Sequence, residues 1–306
     1  MKICTILLPV YNENDNLPSL LELIKCQFNK IPLWSYSVLI VNDGSDMTTK
    51  SLIQDLSSSH ENISSIHFIR NFGHQAALQA GILHAKGDAI VMMDSDLQHC
   101  PSYIPKMLQY FDEGYEYVQM VRNESTTGIK GFLSKNFYRI FNQISDIKLI
   151  PNAPDFRLIS PRVQSLFNSI QHKQKVLRVI PSLFNIEFKC IAYKELDRFA
   201  GSSKYNTIKS ARFAMNILFN FSTLPLNVIF LFGVSLALLS FFAGATSILL
   251  KIIFGPLIVP GYTDIICSIL FLSGTILGSV GIIGRYLIVI IKELHGYPTY
   301  IIDEDA

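Results

Sequence analysis

The sequence predicts an α/β domain with a mostly parallel β-sheet covered by helices on both faces, followed by an interfacial helix and two transmembrane helices. Three observations support this fold class. Short apolar runs alternate with helical patterns through residues 1–121, and polar motifs follow the ends of several of these runs. The last third of the chain contains two long stretches without charged side chains.

The predicted strands of the α/β domain are short and rich in apolar residues. They cover residues 3–10, 36–41, 63–69, 89–93 and 117–121. The spacing of apolar residues predicts helices over residues 17–28, 73–85 and 101–112. Short strands separated by helices are typical of a parallel sheet with both faces covered.

The C-terminal third is apolar enough to enter a membrane. Residues 213–250 and 265–284 carry no charged side chain. As one helix the first stretch would extend roughly 57 Å, well beyond a bilayer core of about 30 Å, so we expect Pro225 to divide it. We predict an interfacial helix over residues 206–223 and spans over residues 226–250 and 265–291. The alternative, two buried core helices, is disfavoured by length and by the missing charge.

The distribution of basic residues predicts that both chain termini lie in the cytosol. Lys204, Lys209 and Arg212 precede the first predicted span and Lys292 follows the second, whereas the loop between the spans contains only Lys251 as a base. The expected organisation is a cytosolic domain over 1–203, an interfacial segment over 204–223, two transmembrane helices within 224–292 and a cytosolic tail over 293–306. A formal net charge of +2 indicates no nucleic-acid partner.

A pair of carboxylates follows the fourth predicted strand. Asp94 and Asp96 stand at positions i and i+2 after an apolar run, and Gln98 can add an amide oxygen. Oxygen ligands of this kind bind hard divalent cations, and Mg²⁺ or Mn²⁺ held there would neutralise a substrate diphosphate. An Asp-x-Asp pair is more often an ordinary turn or cap, so the spacing alone leaves both interpretations open.

Two further polar segments follow the first and second predicted strands. Asp43 is either a turn or N-cap residue or an acceptor for a nucleobase or ribose group. Glu13 is either an acid in a first helical turn or a hydrogen-bond partner of a nucleotide, and Tyr11 either belongs to the core or packs on a base. Ligands of open α/β sheets bind at the carboxyl ends of strands, where these segments fall.

Four segments occur in an order that is specific as a set. They are Pro-Val-Tyr-Asn-Glu at residues 9–13, Val-Asn-Asp-Gly-Ser at 41–45, Arg-Asn-Phe-Gly-His-Gln-Ala-Ala at 70–77 and Met-Asp-Ser-Asp-Leu-Gln-His at 93–99. Together they resemble family 2 glycosyltransferases with the GT-A (Rossmann-like) fold. Over nearly its whole length the chain resembles the polyprenyl-phosphate branch, which includes bactoprenol glucosyltransferases and dolichyl-phosphate mannose synthases.

Two later segments carry the same resemblance. Residues 155–158, Asp-Phe-Arg-Leu, resemble the family segment whose Asp is regarded as the catalytic base, which implies that role for Asp155. Residues 198–205 resemble the segment that precedes the membrane. An acceptor phosphate also needs cations and donors, and the candidates are Arg122, Arg157, Arg198, Ser203 and Lys204. The alternatives are that Arg157 only pairs with Asp155 and that Lys204 only contacts lipid headgroups.

The resemblance implies inverting transfer of a sugar from a nucleotide-sugar to polyprenyl phosphate at the cytoplasmic face of the membrane. A UDP-sugar of glucose or of an N-acetylhexosamine is the first candidate for the donor, and undecaprenyl phosphate for the acceptor. The resemblance also implies a homotetramer and Mg²⁺ or Mn²⁺ as the cofactor. The expected donor contacts are Pro9, Tyr11, Glu13, Asp43 and Asp94, and the expected metal ligands are Asp94, Asp96 and Gln98.

Three other interpretations and one departure from the family accompany this prediction. A processive polysaccharide synthase would carry a Gln-x-x-Arg-Trp element, and the single tryptophan, Trp34, lies elsewhere. The other interpretations are a non-enzymatic membrane scaffold that kept the fold and transfer to another lipid, such as diacylglycerol. Met47 stands where the family has a second Asp, so we expect Asp46 or Thr48 to cap the following helix.

Overall fold

The computed structural model describes residues 1–123, 142, 148, 150–170, 175, 177–194, 224–254, 262–294 and 298–304. The chain divides into two compact units. Unit 1 consists of Met1–Gln143, Ile147–Ser203 and Tyr297–Ala306, and unit 2 consists of Ile144–Asp146 and Lys204–Gly296. The C-terminal tail therefore belongs to the same unit as the N-terminal α/β domain.

Unit 1 alternates strands and helices. Its first part contains β1 (Lys2–Val10), α1 (Leu17–Phe28), β2 (Trp34–Asn42), α2 (Met47–Ser59), β3 (Ile63–His67), α3 (His74–His84), β4 (Ala89–Met92), a 3₁₀ turn (Pro101–Tyr103), α4 (Ile104–Asp112) and β5 (Tyr117–Arg122). Then follow β6 (Arg157–Ile159), α5 (Pro161–Ser169), a second 3₁₀ turn (Leu177–Val179), α6 (Ile180–Leu183) and β7 (Phe188–Tyr193). Each strand and helix predicted within residues 1–121 is confirmed to within about two residues at its ends, except that the helix predicted from residue 101 begins with the 3₁₀ turn and becomes α-helical at Ile104.

The described strands form one seven-stranded sheet in the order β3-β2-β1-β4-β6-β5-β7. β1 pairs in parallel with β2 and β4, β2 pairs in parallel with β3, and β5 pairs in parallel with β7. β6 is antiparallel to both of its neighbours, β4 and β5. The mostly parallel sheet is confirmed, and the antiparallel strand between β4 and β5 is a feature that the sequence pattern did not predict.

Helices cover both faces of the sheet, as predicted. Ile6 and Leu8 of β1 pack with residues of α1 and α4, whereas Leu7 packs with residues of α3 and α5. Successive side chains of a strand point to opposite faces, which explains why this strand is continuously apolar. A Cβ atom at Gly81 of α3 would lie 2.1 Å from the Leu7 side chain, so this helix packs closely on the sheet.

The start of α2 confirms the expected side-chain cap. Oδ1 of Asp46 accepts hydrogen bonds from the Thr49 N–H at 2.9 Å and from the Thr48 hydroxyl at 2.8 Å. Met47, the first residue of the helix, is exposed. Asp46 therefore performs the capping role.

The C-terminal tail pairs with the outer edge of the sheet. Ile302 forms an antiparallel bridge with Phe68, and the Asp303 N–H donates to the His67 carbonyl at 2.7 Å. Tyr300 stacks on Phe68 with ring centroids 5.0 Å apart. Because an edge strand presents unpaired backbone groups, the tail covers part of the edge that β3 would otherwise leave open.

The described part of unit 2 forms two long helices, α7 (Leu224–Phe254) and α8 (Tyr262–Leu294). Helical structure over both predicted spans is confirmed. Pro225 lies in the first turn of α7, where a proline is tolerated.

Within the described residues, one helix segment is long and apolar enough to cross a bilayer. It is Phe271–Ile291, with 21 residues and a mean hydropathy of 1.9. α7 contributes a shorter apolar segment, Pro225–Leu236. The pair of transmembrane helices therefore stays a prediction, and the predicted interfacial helix over 206–223 lies outside the described residues.

Candidate active site

Asp94 and Asp155 lie at the same edge of the sheet. β6 runs antiparallel to β4, and Arg157 of β6 is the register partner of Met92 of β4. Asp94 comes two residues after Met92 and Asp155 comes two residues before Arg157, so both carboxylates leave the sheet on the same side. The carboxyl ends of β1, β2 and β5 reach this edge too, because these strands are parallel to β4.

A tight turn after β4 presents the two aspartates of the Asp-x-Asp pair. The Ser95 hydroxyl donates to the Pro9 carbonyl at 3.0 Å, and the Gln98 N–H donates to Oδ1 of Asp96 at 3.1 Å. Leu97 has a φ of 64°, in the left-handed region that bulky side chains rarely adopt. Backbone strain of this kind concentrates at binding and active sites, where surrounding contacts have to hold it.

The chemistry of the Asp-x-Asp pair fits a hard divalent cation. Oδ1 of Asp94 is buried and has no hydrogen-bond partner in the part of the chain that the structure describes, which leaves lone pairs for another ligand. Asp96 and Gln98 add oxygens of the kind that Mg²⁺ and Mn²⁺ bind. No group of three or more His, Cys, Asp and Glu residues within the described ranges forms a complete metal site. A Mg²⁺ site commonly has only one or two protein ligands, because substrate phosphates and waters complete the coordination of the cation.

Asp155 is a buried carboxylate surrounded by cations and donors. The Gln75 amide donates to its Oδ2 at 2.9 Å, a guanidinium nitrogen of Arg178 lies 3.3 Å from the same oxygen, and Arg157 binds Oδ1. Burial by itself would raise the pKa of Asp155, but the charges of Arg178, Arg157 and His74 hold that pKa well below its usual range. Asp155 therefore stays ionised at neutral pH and is a weak proton acceptor.

His74 lies between the two carboxylates. Its Nε2 is 3.5 Å from Oδ1 of Asp94 and 3.6 Å from Oδ2 of Asp155. Desolvation by itself would lower the pKa of His74, but the nearby carboxylates of Asp155 and Asp94 raise it above the ordinary value. The imidazole thus joins the Asp-x-Asp pair and Asp155 into one polar cluster.

Arg157 is fully buried, and its guanidinium is used inside the protein. Nη1 donates to the Tyr117 hydroxyl at 2.9 Å, and Nη2 donates to the Pro154 carbonyl at 2.9 Å and to Asp155. This geometry agrees with the alternative that Arg157 only pairs with Asp155, and it does not fit a contact with a lipid phosphate. Arg178, whose side chain is 24% exposed, is better placed for that contact.

Asp43 holds the loop that precedes α3. Its carboxylate accepts hydrogen bonds from the N–H groups of Phe72 at 2.7 Å and Gly73 at 2.9 Å. Burial raises the pKa of Asp43 above the ordinary value. Gly44, with a φ of 66°, lies so close to this loop that a Cβ atom would be 2.2 Å from the Arg70 carbonyl carbon. The geometry supports a role in the turn, and a contact with the donor stays a prediction.

The other predicted donor residues lie at the end of β1 and just beyond it. Pro9 belongs to the strand. Tyr11 is 47% exposed, which does not fit the alternative that it is a core residue. Oε2 of Glu13 accepts a hydrogen bond from the Asn16 amide at 2.7 Å, and Glu13 precedes α1 rather than lying in its first turn. Their contacts with a nucleotide stay predictions.

Among the predicted acceptor residues that the structure describes, Arg122 is partly exposed and lies at this sheet edge. It is the last residue of β5, and its N–H donates to the Asn152 carbonyl at 3.0 Å. Arg198, Ser203 and Lys204 lie outside the described residues. Their roles stay predictions.

Four residues of this cluster are not among the predicted site residues: His74, Gln75, His99 and Arg178. The first three lie in the segments that carry the family resemblance, but their spacing assigns them no role. Arg178 lies in a stretch without a recognisable pattern, and only the fold brings it to Asp155.

Known proteins similar to this chain identify its family. Residues 5–163 match glycosyl transferase family 2. An uncharacterized glycosyltransferase of Synechocystis sp. is 34% identical, over 98% of this chain and 94% of its own. The SfII prophage-derived bactoprenol glucosyl transferase of Shigella flexneri is 33% identical, over 99% of this chain and 97% of its own.

A solved structure shares the fold. Mannosyl-3-phosphoglycerate synthase from Rubrobacter xylanophilus superposes with a TM-score of 0.51 over 71% of this chain and 72% of its own, at 15% identity. The family match and this likeness confirm the GT-A α/β fold, with its mostly parallel mixed sheet. Since the family match covers more than half of the chain and the relatives match it from end to end, the chain belongs to glycosyl transferase family 2 and is a glycosyltransferase.

Proposed function

We propose that this glycosyltransferase transfers a sugar from a nucleotide-sugar to a polyprenyl phosphate at the cytoplasmic face of the membrane. UDP-glucose and UDP-N-acetylhexosamines are the first candidate donors, and undecaprenyl phosphate is the first candidate acceptor. Similarity over 99% of the chain to a bactoprenol glucosyl transferase supports the acceptor. The observation that carries the proposal is the closeness of the two carboxylates: Nε2 of His74 lies 3.5 Å from Asp94 and 3.6 Å from Asp155. A donor diphosphate beside Asp94 and an acceptor beside Asp155 would therefore be close enough to react.

On the donor side, the carboxylates after β4 face the diphosphate. Asp94, Asp96 and Gln98 would hold Mg²⁺ or Mn²⁺, which when bound neutralises charge on the departing diphosphate. Tyr11, exposed at the end of β1, would pack on the nucleobase. The proposed donor site is completed by Pro9, Glu13 and Asp43.

On the acceptor side, the lipid phosphate supplies its own nucleophilic oxygen. A phosphate monoester is already ionised at neutral pH, so it needs orientation more than deprotonation. Asp155, with its lowered pKa, is better suited to hold Arg178 and His74 in place than to remove a proton. We therefore assign Asp155 to the catalytic site as the carboxylate that organises the phosphate-binding cations.

A single displacement accounts for the reaction. The phosphate oxygen forms a bond to the anomeric carbon while the bond from that carbon to the donor diphosphate breaks. The nucleoside diphosphate leaves with the electron pair of the broken bond. Because attack comes from the face opposite the leaving group, the product has the inverted configuration, and no covalent enzyme intermediate forms.

The same proposal makes the chain a multi-pass protein of the cytoplasmic membrane, with unit 1 and both termini in the cytosol. The apolar segment Phe271–Ile291 and the basic residues before the first predicted span support this arrangement. Arg198, Ser203 and Lys204 would then lie close to lipid headgroups, where the acceptor phosphate is found. The proposal also includes a homotetramer in contact with membrane lipids, which rests on the family resemblance alone.

The test is sugar transfer by detergent-purified protein with Mg²⁺ or Mn²⁺. Radiolabelled UDP-glucose, UDP-N-acetylglucosamine and GDP-mannose are each offered with undecaprenyl phosphate. We expect one sugar to enter the lipid fraction, Asp96→Asn to abolish the transfer, and Asp55→Asn on the exposed side of α2 to leave it unchanged. If no donor is consumed with either metal, the proposal fails, and a non-enzymatic scaffold or transfer to another lipid acceptor becomes the better interpretation.

A further inference from the structure

His99 lies directly beside Asp94 and is fully buried. Its Nδ1 is 2.9 Å from the backbone nitrogen of Asp94, and its Nε2 is 3.6 Å from Oδ2 of the same residue. One imidazole therefore faces both the main chain and the carboxylate of Asp94.

The first of these contacts fixes the position of the proton on the neutral ring. A backbone N–H can only donate, so Nδ1 of His99 accepts the hydrogen bond and carries no proton. The proton of the neutral imidazole is then on Nε2, which faces Oδ2 of Asp94. Within the described residues, Nε2 is buried without a hydrogen-bond partner, and a movement of about half an ångström would bring the carboxylate into hydrogen-bond range.

Aromatic neighbours hold the plane of the ring. His99 stacks on Phe156 with ring centroids 4.9 Å apart and planes inclined by 17°, and it meets the edge of Tyr193 at 6.1 Å. Both neighbours are fully buried, and Phe156 follows Asp155 in the chain. The imidazole therefore has a fixed orientation toward Asp94 and also supports the segment that carries Asp155.

His99 also closes the turn that contains the Asp-x-Asp pair. Its bond to the Asp94 N–H spans the turn, within which Leu97 adopts a positive φ. A strained turn persists only when its surroundings over-determine it, and a buried ring that accepts from one end of the turn is such a constraint.

We propose that His99 is a positioning residue, whose Nε2–H orients the Asp94 carboxylate through Oδ2 and leaves Oδ1 for the cation and donor. This inference rests on the proposed function, because it takes Asp94 as a donor-site ligand. Partners that hold a ligating side chain from behind typically contribute about 10- to 100-fold to metal affinity. We expect an effect of that size on the donor site and little effect on the acceptor site.

Two substitutions separate the roles of the two ring nitrogens. His99→Asn places an amide oxygen near the position of Nδ1, so it keeps an acceptor for the Asp94 N–H and loses the donor to the carboxylate. His99→Gln places an amide nitrogen near the position of Nε2, so it keeps that donor and loses the acceptor. A purely structural clasp requires Asn to be the better substitute, whereas a positioning role requires Gln to be the better substitute for ligand binding.

The experiment measures Mn²⁺ binding by electron paramagnetic resonance on the full-length purified protein with UDP and without acceptor. Transfer kinetics and thermal unfolding of the same samples follow. We expect His99→Asn to lower the Mn²⁺ affinity and raise the donor KM by about 10- to 100-fold, with the acceptor KM within about twofold of wild type. His99→Gln should recover most of the Mn²⁺ affinity, and His60→Asn at the exposed end of α2 is the matched control.

Each outcome decides the matter. Wild-type Mn²⁺ affinity in His99→Asn would overturn the positioning role, and so would an equal loss of Mn²⁺ affinity in His99→Asn and His99→Gln. Failure of the wild-type protein to bind Mn²⁺ with UDP would overturn this inference, whereas the proposed function would fail only if no donor is consumed with either metal. A deficit in Mn²⁺ affinity confined to His99→Asn, with the two variants unfolding at similar midpoints, supports the inference.

Discussion

The two halves of the sheet bring polar residues to one edge in different ways. The half that we propose to bind the donor, β3-β2-β1-β4, is the donor half; it is entirely parallel, and its candidate residues follow the strands directly in sequence. The half that we propose to bind the acceptor, β6-β5-β7, is the acceptor half; it contains an antiparallel strand, so Asp155 precedes its strand while Arg122 ends its own. In the parallel half, candidate residues can therefore be found in the sequence directly after the strands. In the mixed half, the position of Asp155 becomes clear only from the strand order and register.

The halves also differ in the electrostatic state of their carboxylates. In the donor half, Oδ1 of Asp94 is buried without a hydrogen-bond partner among the described residues. In the acceptor half, Asp155 is bound by Gln75, Arg157 and Arg178. One half offers oxygen atoms to a cation, and the other half gathers cations that suit an anion. Substitutions in each half test this division of roles.

Among the proposed substitutions, replacing Asp155 in the acceptor half should cause the largest loss of unfolding free energy. Asp155→Asn leaves the buried guanidinium of Arg157 with only neutral partners, and breaking a buried ion pair typically costs about 3–5 kcal/mol of unfolding free energy. Urea unfolding of purified protein measures this loss. The double variant with Arg157→Met removes both charges and should recover much of the stability. A single variant within about 1 kcal/mol of wild type would contradict the buried pair.

The pH dependence of that contribution follows from the lowered pKa of Asp155. The unfolded carboxyl has a pKa of about 3.9, and the native pKa lies well below it. The stabilising contribution is therefore complete above the unfolded pKa and is lost as pH falls below it toward the native value. Unfolding free energies of wild type and Asp155→Asn should converge only in that acidic window.

Arg178 offers a cleaner test of the acceptor half because it is partly exposed. Arg178→Gln should raise the KM for undecaprenyl phosphate by about 10- to 100-fold, or about 1.4–2.8 kcal/mol, and leave the donor KM unchanged. Arg178→Lys keeps the charge without the planar fork, so we expect an intermediate effect. A rise confined to the donor KM would instead place Arg178 in the donor half.

Changes in the C-terminal tail should lower the unfolding free energy less than Asp155→Asn does, and they should act on the donor half. Tyr300→Ala removes the stack on Phe68, next to the loop that Asp43 holds, and should cost about 1–2 kcal/mol of unfolding free energy. Hydrogen exchange at residues 67–73 should become faster. Lys50→Met, which removes only the ion pair with Asp303, is the matched smaller change at about 0.5 kcal/mol. Unchanged exchange in Tyr300→Ala would show that the tail does not stabilise this loop.

The last prediction concerns the start of α2. Asp46→Ala removes the side-chain cap and should lower the unfolding midpoint, whereas Asp46→Asn keeps an oxygen acceptor and should stay near wild type. Equal unfolding midpoints for the two variants would contradict the capping role.

The sequence predicts the donor half well because local patterns determine it. β1 to β4 are apolar runs between helical segments, and the Asp-x-Asp pair follows β4 directly. β6 has only three residues and includes the charged Arg157, so no periodicity marks it as a strand. The closeness of Asp94 and Asp155 depends on the register of β4 and β6, which is a tertiary fact. The contact between Arg178 and Asp155 likewise depends on the tertiary structure, because the two residues are 23 positions apart in the chain.

The most direct test of the account uses the chemistry of the acceptor. Wild-type protein is offered the labelled donor together with undecaprenyl phosphate, undecaprenol or diacylglycerol, in separate reactions. Asp155 is a weak base among cations, so we predict that only the phosphate, which arrives ionised, is glycosylated. Comparable transfer to either neutral alcohol would require a base that removes a proton, and it would contradict the role assigned here to Asp155 and Arg178.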